Sequence, residues 1–163
     1  MKRIRSYEHK VQYYETDQMR IVHHSNYIKW FEEARTDFLE RVGMGYDVME
    51  KKGIYCPVLE INANYLRMVE FGDTVQIKLT IKTYNGIKLI VGYQVKSEET
   101  GLIHCIGESK HCFLNEKMQP VFLKKDFKEF HELFMEYSEP AKQNRKKPTE
   151  QTKIKKRRIK NEN

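Results

Sequence analysis

Cysteine is scarce in this chain of 163 residues: only Cys56, Cys105 and Cys112 occur. An odd count with no C-x-x-C spacing argues against a disulfide framework, and free thiols in a reducing cytosol are the expected state. Cys105 and Cys112 are seven positions apart, so on one strand they would face opposite sides. Long apolar runs are lacking too. The opening stretch MKRIRSYEHKVQYY is positively charged but has no apolar segment of a secretory signal. No later run reaches the ~20 residues that span a bilayer. A soluble, cytoplasmic protein without a transmembrane segment is expected.

Aromatic residues are missing from 139–163, although the whole chain has ten Tyr, eight Phe and one Trp. Acidic charge is thin in the same stretch. It holds ten Lys and Arg against three Glu, and so carries the entire formal net charge of +7. Residues 1–138 balance twenty bases with twenty acids. The low mean hydropathy of −0.76 and the basic charge therefore misdescribe the body of the protein. With Ile154 and Ile159 as its only sizeable aliphatics, the end of the chain cannot offset the entropy of ordering. One domain over 1–138 and a disordered basic tail over 139–163 are expected. Such a tail solubilises, or touches nucleic acid or anionic lipid non-specifically through counterion release.

Within the body, hydrophobic periodicity is the main signal. Residues 8–15 have strand character. Tyr27, Trp30, Phe31, Ala34, Phe38, Leu39 and Val42 then recur at spacings of three and four, which predicts a helix over 26–42 of about four turns. Ser25 or Asn26 caps it, and Gly43 and Gly45 stop it. YDVMEKKG adds a short second helix. From Tyr55 the period changes to two, giving four long strands. Turns at Gly72–Asp73, Asn85–Gly86 and Glu99–Gly101 join them, with Asn85–Gly86 suited to positive φ at both positions. DFKEFHELFMEY forms a last helix with Phe127, Phe130, Leu133, Phe134 and Tyr137 on one face. An antiparallel meander needs one face covered. The helix over 26–42 is the element long and apolar enough to do it, so the fold class is α+β.

The segment YYETDQMRIVHHSNYIKWFEEAR, residues 13–35, concentrates the chemistry. By residue type alone Asp17 is a turn former. It lies, however, within loop reach of a helix start whose free N–H groups and positive dipole end can bind an oxyanion. His23 and His24 suggest a metal. Adjacent side chains rarely converge on one ion and no ligand-spaced partner follows, so neither metal nor cofactor is expected. Glu32 and Glu33, one turn into the helix, are reserve carboxylates. His104, Glu108 and His111 on the last strand read as surface or interface groups.

This segment resembles the signature of hotdog-fold acyl-CoA thioesterases of the 4-hydroxybenzoyl-CoA thioesterase type. There an aspartate follows the first strand, and a His or Tyr, a small residue and Asn-Tyr open the central helix. The matching positions are Asp17, His24, Ser25, Asn26 and Tyr27. NYLRMVEFGDTVQI is similar to the family's second anchor, a tyrosine followed by a Gly-Asp turn into a long strand. The resemblance spans roughly residues 5 to 135 and implies a curved sheet wrapped around one helix. It implies Asp17 as nucleophile or general base and the His24 N–H as the group that polarises the thioester carbonyl. Arg20, Asn26 and Tyr27 become the substrate-binding candidates. Arg20 stands where most relatives have glycine, and its guanidinium suits a coenzyme A phosphate. The implied assembly is a homodimer that pairs again into a tetramer. Two other functions fit less well: hydrolysis of acyl carrier protein thioesters, and non-catalytic acyl-CoA sensing with the tail on nucleic acid. A sensor needs no carboxylate beside the thioester, and a hotdog dehydratase would need a His paired with an acid across the site, a pair that the sequence does not locate.

Overall fold

A computed structural model describes residues 2–140. Nearly all of the basic tail, with the disorder and polyanion contact expected of it, lies outside the described residues. The strands β1 (Tyr7–Lys10), β2 (Val58–Tyr65), β3 (Thr74–Tyr84), β4 (Lys88–Ser97) and β5 (Ile103–Cys112) form one antiparallel sheet in the order β1-β3-β4-β5-β2. The helices are α1 (His24–Arg41), α2 (Tyr46–Lys51), α3 (Leu123–Asp126) and α4 (Lys128–Tyr137). No helix among the described residues is long and apolar enough to cross a membrane.

Alternation decides which side of the sheet faces α1. Val75, Ile77, Leu79 and Ile81 of β3 are buried, as are Leu89, Val91, Tyr93 and Val95 of β4. Against them α1 sets Tyr27, Trp30, Phe31, Ala34, Phe38 and Leu39, all buried. At the centre the Phe31 ring stacks on Tyr93 at 4.4 Å and 9°. A Cβ on Gly107 of β5 would collide with the Phe31 ring and crowd the Asn62 carbonyl, so the missing side chain is what admits the helix. Phe130 and Phe134 of α4 are also buried, Phe134 against Tyr84 and Phe113.

Several elements depart from the periodicity. The first strand ends at Lys10 and a 3-10 turn occupies Tyr13–Glu15. The Glu15 carboxylate accepts the Gln12 N–H at 2.7 Å, and the Thr16 hydroxyl donates to the Tyr13 carbonyl at 2.8 Å. Such local side-chain bonds draw backbone out of a ladder. Helix α1 begins at His24, two residues early, because His23 is the cap and its ring accepts the Ser25 N–H at 3.4 Å. At the β3–β4 turn only Gly86 takes positive φ, at 90°. Asn85 instead accepts the N–H groups of Ile87 and Lys88 through its side chain. The C-terminal helix is broken at Phe127, with φ −144°.

One strand residue expected at the surface is in the core. His111 is 1% exposed; its Nε2 meets Ser109 Oγ at 2.7 Å and its Nδ1 meets the Pro57 carbonyl at 3.2 Å. The same network includes Tyr93, 2.8 Å from Ser109, and the buried Arg35, which donates to Tyr46 at 2.7 Å and Tyr93 at 3.2 Å. His104 and Glu108, facing the other way, remain partly exposed.

Burial first, and then the Arg35 charge, push the His111 imidazole down from 6.5 to about 4. The unfolded chain therefore binds a proton at higher pH than the folded one does. The neutral ring's contribution is complete above about pH 6.5 and drains away as pH falls toward 4. His111→Gln is expected to lower stability at pH 7 and to flatten the acid limb between those values, measured as urea midpoints against pH. An unchanged acid limb would contradict this.

Candidate active site

Between the 3-10 turn and α1 the chain folds a short loop. Thr16 and Val22 form a bridge, the Asp17 N–H donates to the Ile21 carbonyl at 3.0 Å, and the Arg20 N–H donates to the Asp17 carbonyl at 2.9 Å. Asp17 Oδ1 accepts the Met19 N–H at 2.8 Å, the turn chemistry that its residue type suggests. Its Oδ2 has no protein partner among the described residues. The Val22 N–H donates to the Val69 carbonyl at 2.8 Å, and Ile21 bridges Glu70. The loop is thereby tied to the segment that follows β2.

That tie creates a groove of about 540 Å³ with Asp17 on one wall. His24 and Tyr27 of α1 line it, and Tyr65 at the end of β2 closes it with Leu66, Arg67 and Met68. The Tyr65 hydroxyl donates to the His24 carbonyl at 3.1 Å, and its ring meets Tyr27 edge-on at 5.1 Å. The two sequence anchors, far apart in the chain, meet at this groove.

The helix start supplies donors. The Asn26 N–H is used by the His23 carbonyl at 3.0 Å and the Ser25 N–H by the His23 ring. The His24 N–H has no partner among the described residues. A free N–H at the positive end of an 18-residue helix has the chemistry to donate to an oxyanion. Tyr27 is 3% exposed, yet its hydroxyl has no protein partner among the described residues. Burial raises its pKa, so the group is neutral.

The expected site residues are not all alike. Asp17, His24 and Tyr27 come together on the groove. Arg20 is exposed on the adjoining loop and does not line it. Asn26 is buried and donates to the Glu15 carbonyl at 2.8 Å, away from the groove lining. Glu32 and Glu33 are exposed on the outer face of α1; Glu33 accepts from the Tyr7 hydroxyl at 3.1 Å. Sequence reading passed over Glu15, which is 4% exposed. Besides the Gln12 N–H, its carboxylate accepts from Trp30 Nε1 at 2.8 Å and meets His9 Nε2 at 2.9 Å. Burial pushes its pKa up, but the bonds from Gln12, His9 and Trp30 prevail and hold it low. The groups of three or more acids, His and Cys that would hold a metal are absent among the described residues.

Comparison with known proteins identifies the family. The family model described as the thioesterase-like superfamily matches residues 11–139. The chain belongs to this superfamily. YneP of Bacillus subtilis, named as a candidate acyl-CoA thioesterase, is 37% identical over 124 residues, covering 76% of this chain and 90% of YneP. YbgC of Escherichia coli O157:H7, named an acyl-CoA thioester hydrolase, is 23% identical over 116 residues, covering 71% and 87%. The crystal structure of a DHNA-CoA thioesterase from Staphylococcus aureus superposes with a TM-score of 0.76 at 29% identity, over 81% of this chain and 89% of that one. The α+β architecture is the hotdog fold of these thioesterases.

Arg20 takes the left-handed backbone shape that glycine adopts without strain: its φ is 64°. For an L-residue that region carries a steric cost of about 1–2 kcal/mol. Glycine would relieve it and lose roughly 0.5–1 kcal/mol to chain entropy. Arg20→Gly should therefore stabilise the protein by about 0.7 kcal/mol, and by no more than about 1.5 kcal/mol, read as a higher urea midpoint at constant slope. Arg20→Ala should bring no such gain. Equal gains in both variants would assign the effect to the side chain and not to φ.

Proposed function

We propose that the protein hydrolyses acyl-CoA thioesters to free CoA and a carboxylic acid. One observation carries this reading: a carboxylate with an open oxygen and an unpaired helix N–H border the same groove. Thioester hydrolysis needs an acid–base or nucleophilic carboxylate, an aimed donor and water. The relatives' names point to the same chemistry. Met19, Ile21, Leu66 and Met68 give the groove an apolar lining suited to an acyl chain.

In the proposed reaction the thioester carbonyl oxygen accepts from the His24 N–H. With Asp17 as base, its carboxylate takes a proton from water as the water oxygen bonds to the carbonyl carbon. The tetrahedral oxyanion collapses, the carbon–sulfur bond breaks, and the thiolate leaves and is protonated. With Asp17 as nucleophile, the carboxylate forms a mixed anhydride first and water cleaves it afterwards. The Tyr27 hydroxyl, neutral and unpaired, contacts the substrate, Asn26 holds the helix start in place, and Arg20 meets a CoA phosphate.

Asp17→Asn should keep the fold and lose roughly 10²- to 10⁴-fold in turnover. The measurement is thiol release from a panel of acyl-CoAs, with acyl carrier protein thioesters in parallel. Near-normal turnover by Asp17→Asn would shift the proposal to Glu32 or Glu33. A single turnover in heavy-oxygen water reports the nucleophilic route when water opens the anhydride at the Asp17 carboxyl carbon, since the first product then carries an enzyme oxygen. Trapping the anhydride with hydroxylamine covers opening at the acyl carbon, where the product takes solvent oxygen as in the base route.

The proposed functional unit is a homodimer that pairs into a tetramer. β2 is an edge strand, and Leu59, Tyr65, Leu66, Met68 and Phe71 on and after it are 46–70% exposed. Unpaired edges and contiguous apolar surface both invite a second copy. Sedimentation should show a dimer or larger at micromolar concentration; a stable, fully active monomer would refute it.

A further inference from the structure

We infer that Glu15 is a positioning residue for this reaction, whose buried carboxylate locks the loop carrying Asp17 to the first two turns of α1. The inference rests on the proposed roles of Asp17 and the His24 N–H. Glu15 does not line the groove, so it acts through other residues.

Five hydrogen bonds converge on this one residue. Its carboxylate takes the Gln12 N–H at 2.7 Å, His9 Nε2 at 2.9 Å and Trp30 Nε1 at 2.8 Å. Its carbonyl takes the His23 N–H and the Asn26 side chain, each at 2.8 Å. The partners lie on β1, at the start of the turn, at the helix cap and in the first two turns of the helix. Glu15 is two residues before Asp17, and His23 is bonded directly to His24 along the chain. The two ends of the loop are thus pinned to one rigid point.

A merely structural reading meets a physical objection. Burying an anion is expensive, and an apolar side chain against Trp30 would be as stable or more so. An apolar side chain, however, has no direction. Three donors fix the orientation of a carboxylate, and that orientation passes to the carbonyl two bonds beyond its Cβ. His9 extends the lock outward, since its Nδ1 is 3.4 Å from Glu33, which the Tyr7 hydroxyl also engages. Glutamine at position 15 would keep the volume but turn an NH₂ group toward one of the three donors.

The test compares full-length Glu15→Gln, His9→Gln and Phe130→Leu with the wild type. Glu15→Gln should lower kcat by about 10- to 100-fold with KM within about twofold, the mark of lost transition-state geometry. Backbone order parameters over residues 17–24 should fall from rigid values near 0.85 toward 0.6. His9→Gln, which removes one of the three carboxylate partners, should show the same pattern with a loss of about 3- to 10-fold. Phe130→Leu lies in the remote helix α4 and should lower the melting temperature without moving kcat or loop order. Unchanged kcat and order in Glu15→Gln would overturn the inference. If that variant does not fold, the same result in His9→Gln would overturn it, and so would a kcat loss in Phe130→Leu matching its loss of stability. Loop order does not depend on which residue attacks the thioester. An active Asp17→Asn would thus count against the catalytic assignment, whereas a rigid loop in Glu15→Gln would count against the lock.

Discussion

The contact between Phe31 and the inner face of the sheet sets how deep helix α1 lies, and the site depends on that depth. Phe31 and Tyr93 are stacked and both fully buried, and Gly107 leaves the helix room to approach the backbone of β5. Each such aromatic removes on the order of 150–250 Å² from water. Tyr27 and His24 lie one and two turns N-terminal to Phe31 on the same helix. The depth of Phe31 therefore carries the helix start toward the end of β2, where the Tyr65 hydroxyl reaches the His24 carbonyl. The groove is a consequence of helix–sheet packing at its rim, and the loop from Thr16 to Val22 forms its second wall.

Periodicity made the elements readable but not their neighbours. The helix, the four long strands and the stop at Gly43, which takes φ 76°, follow from local spacing. The strand order does not: alternation says which face of β2 or β1 is apolar, not that β2 pairs with β5 and β1 with β3. Much of the candidate site was legible because Asp17, His24 and Tyr27 occupy one short segment. Leu66, Arg67 and Met68 join the groove through non-local ties such as the Val22–Val69 bond and the Ile21–Glu70 bridge, pairings with no local signal. Glu15 was hidden for a related reason. A glutamate reads as exposed unless its donors are known, and His9, Gln12 and Trp30 converge on it only after β1 and α1 have packed.

The two buried charges near α1 show how differently the fold handles an anion and a cation. Glu15 is surrounded by N–H donors and needs no more. Arg35 has no carboxylate partner among the described residues, only the hydroxyls of Tyr46 and Tyr93. A guanidinium can only donate, so the Tyr93 oxygen must accept from it and send its own proton onward. Tyr93 then donates to Ser109, Ser109 to His111 Nε2, and His111 Nδ1–H to the Pro57 carbonyl. One cation thus fixes the direction of every bond in the chain and the tautomer of the histidine at its end. Protonating His111 would put a second donor against Ser109. Either the Ser109 hydrogen or, if the chain reversed, the Tyr93 hydrogen would then lack an acceptor within it, since Arg35 cannot accept. The geometry accordingly favours a neutral His111 independently of desolvation, and the cost of the buried cation is spread over a relay of hydroxyls running from the helix across β4 and β5.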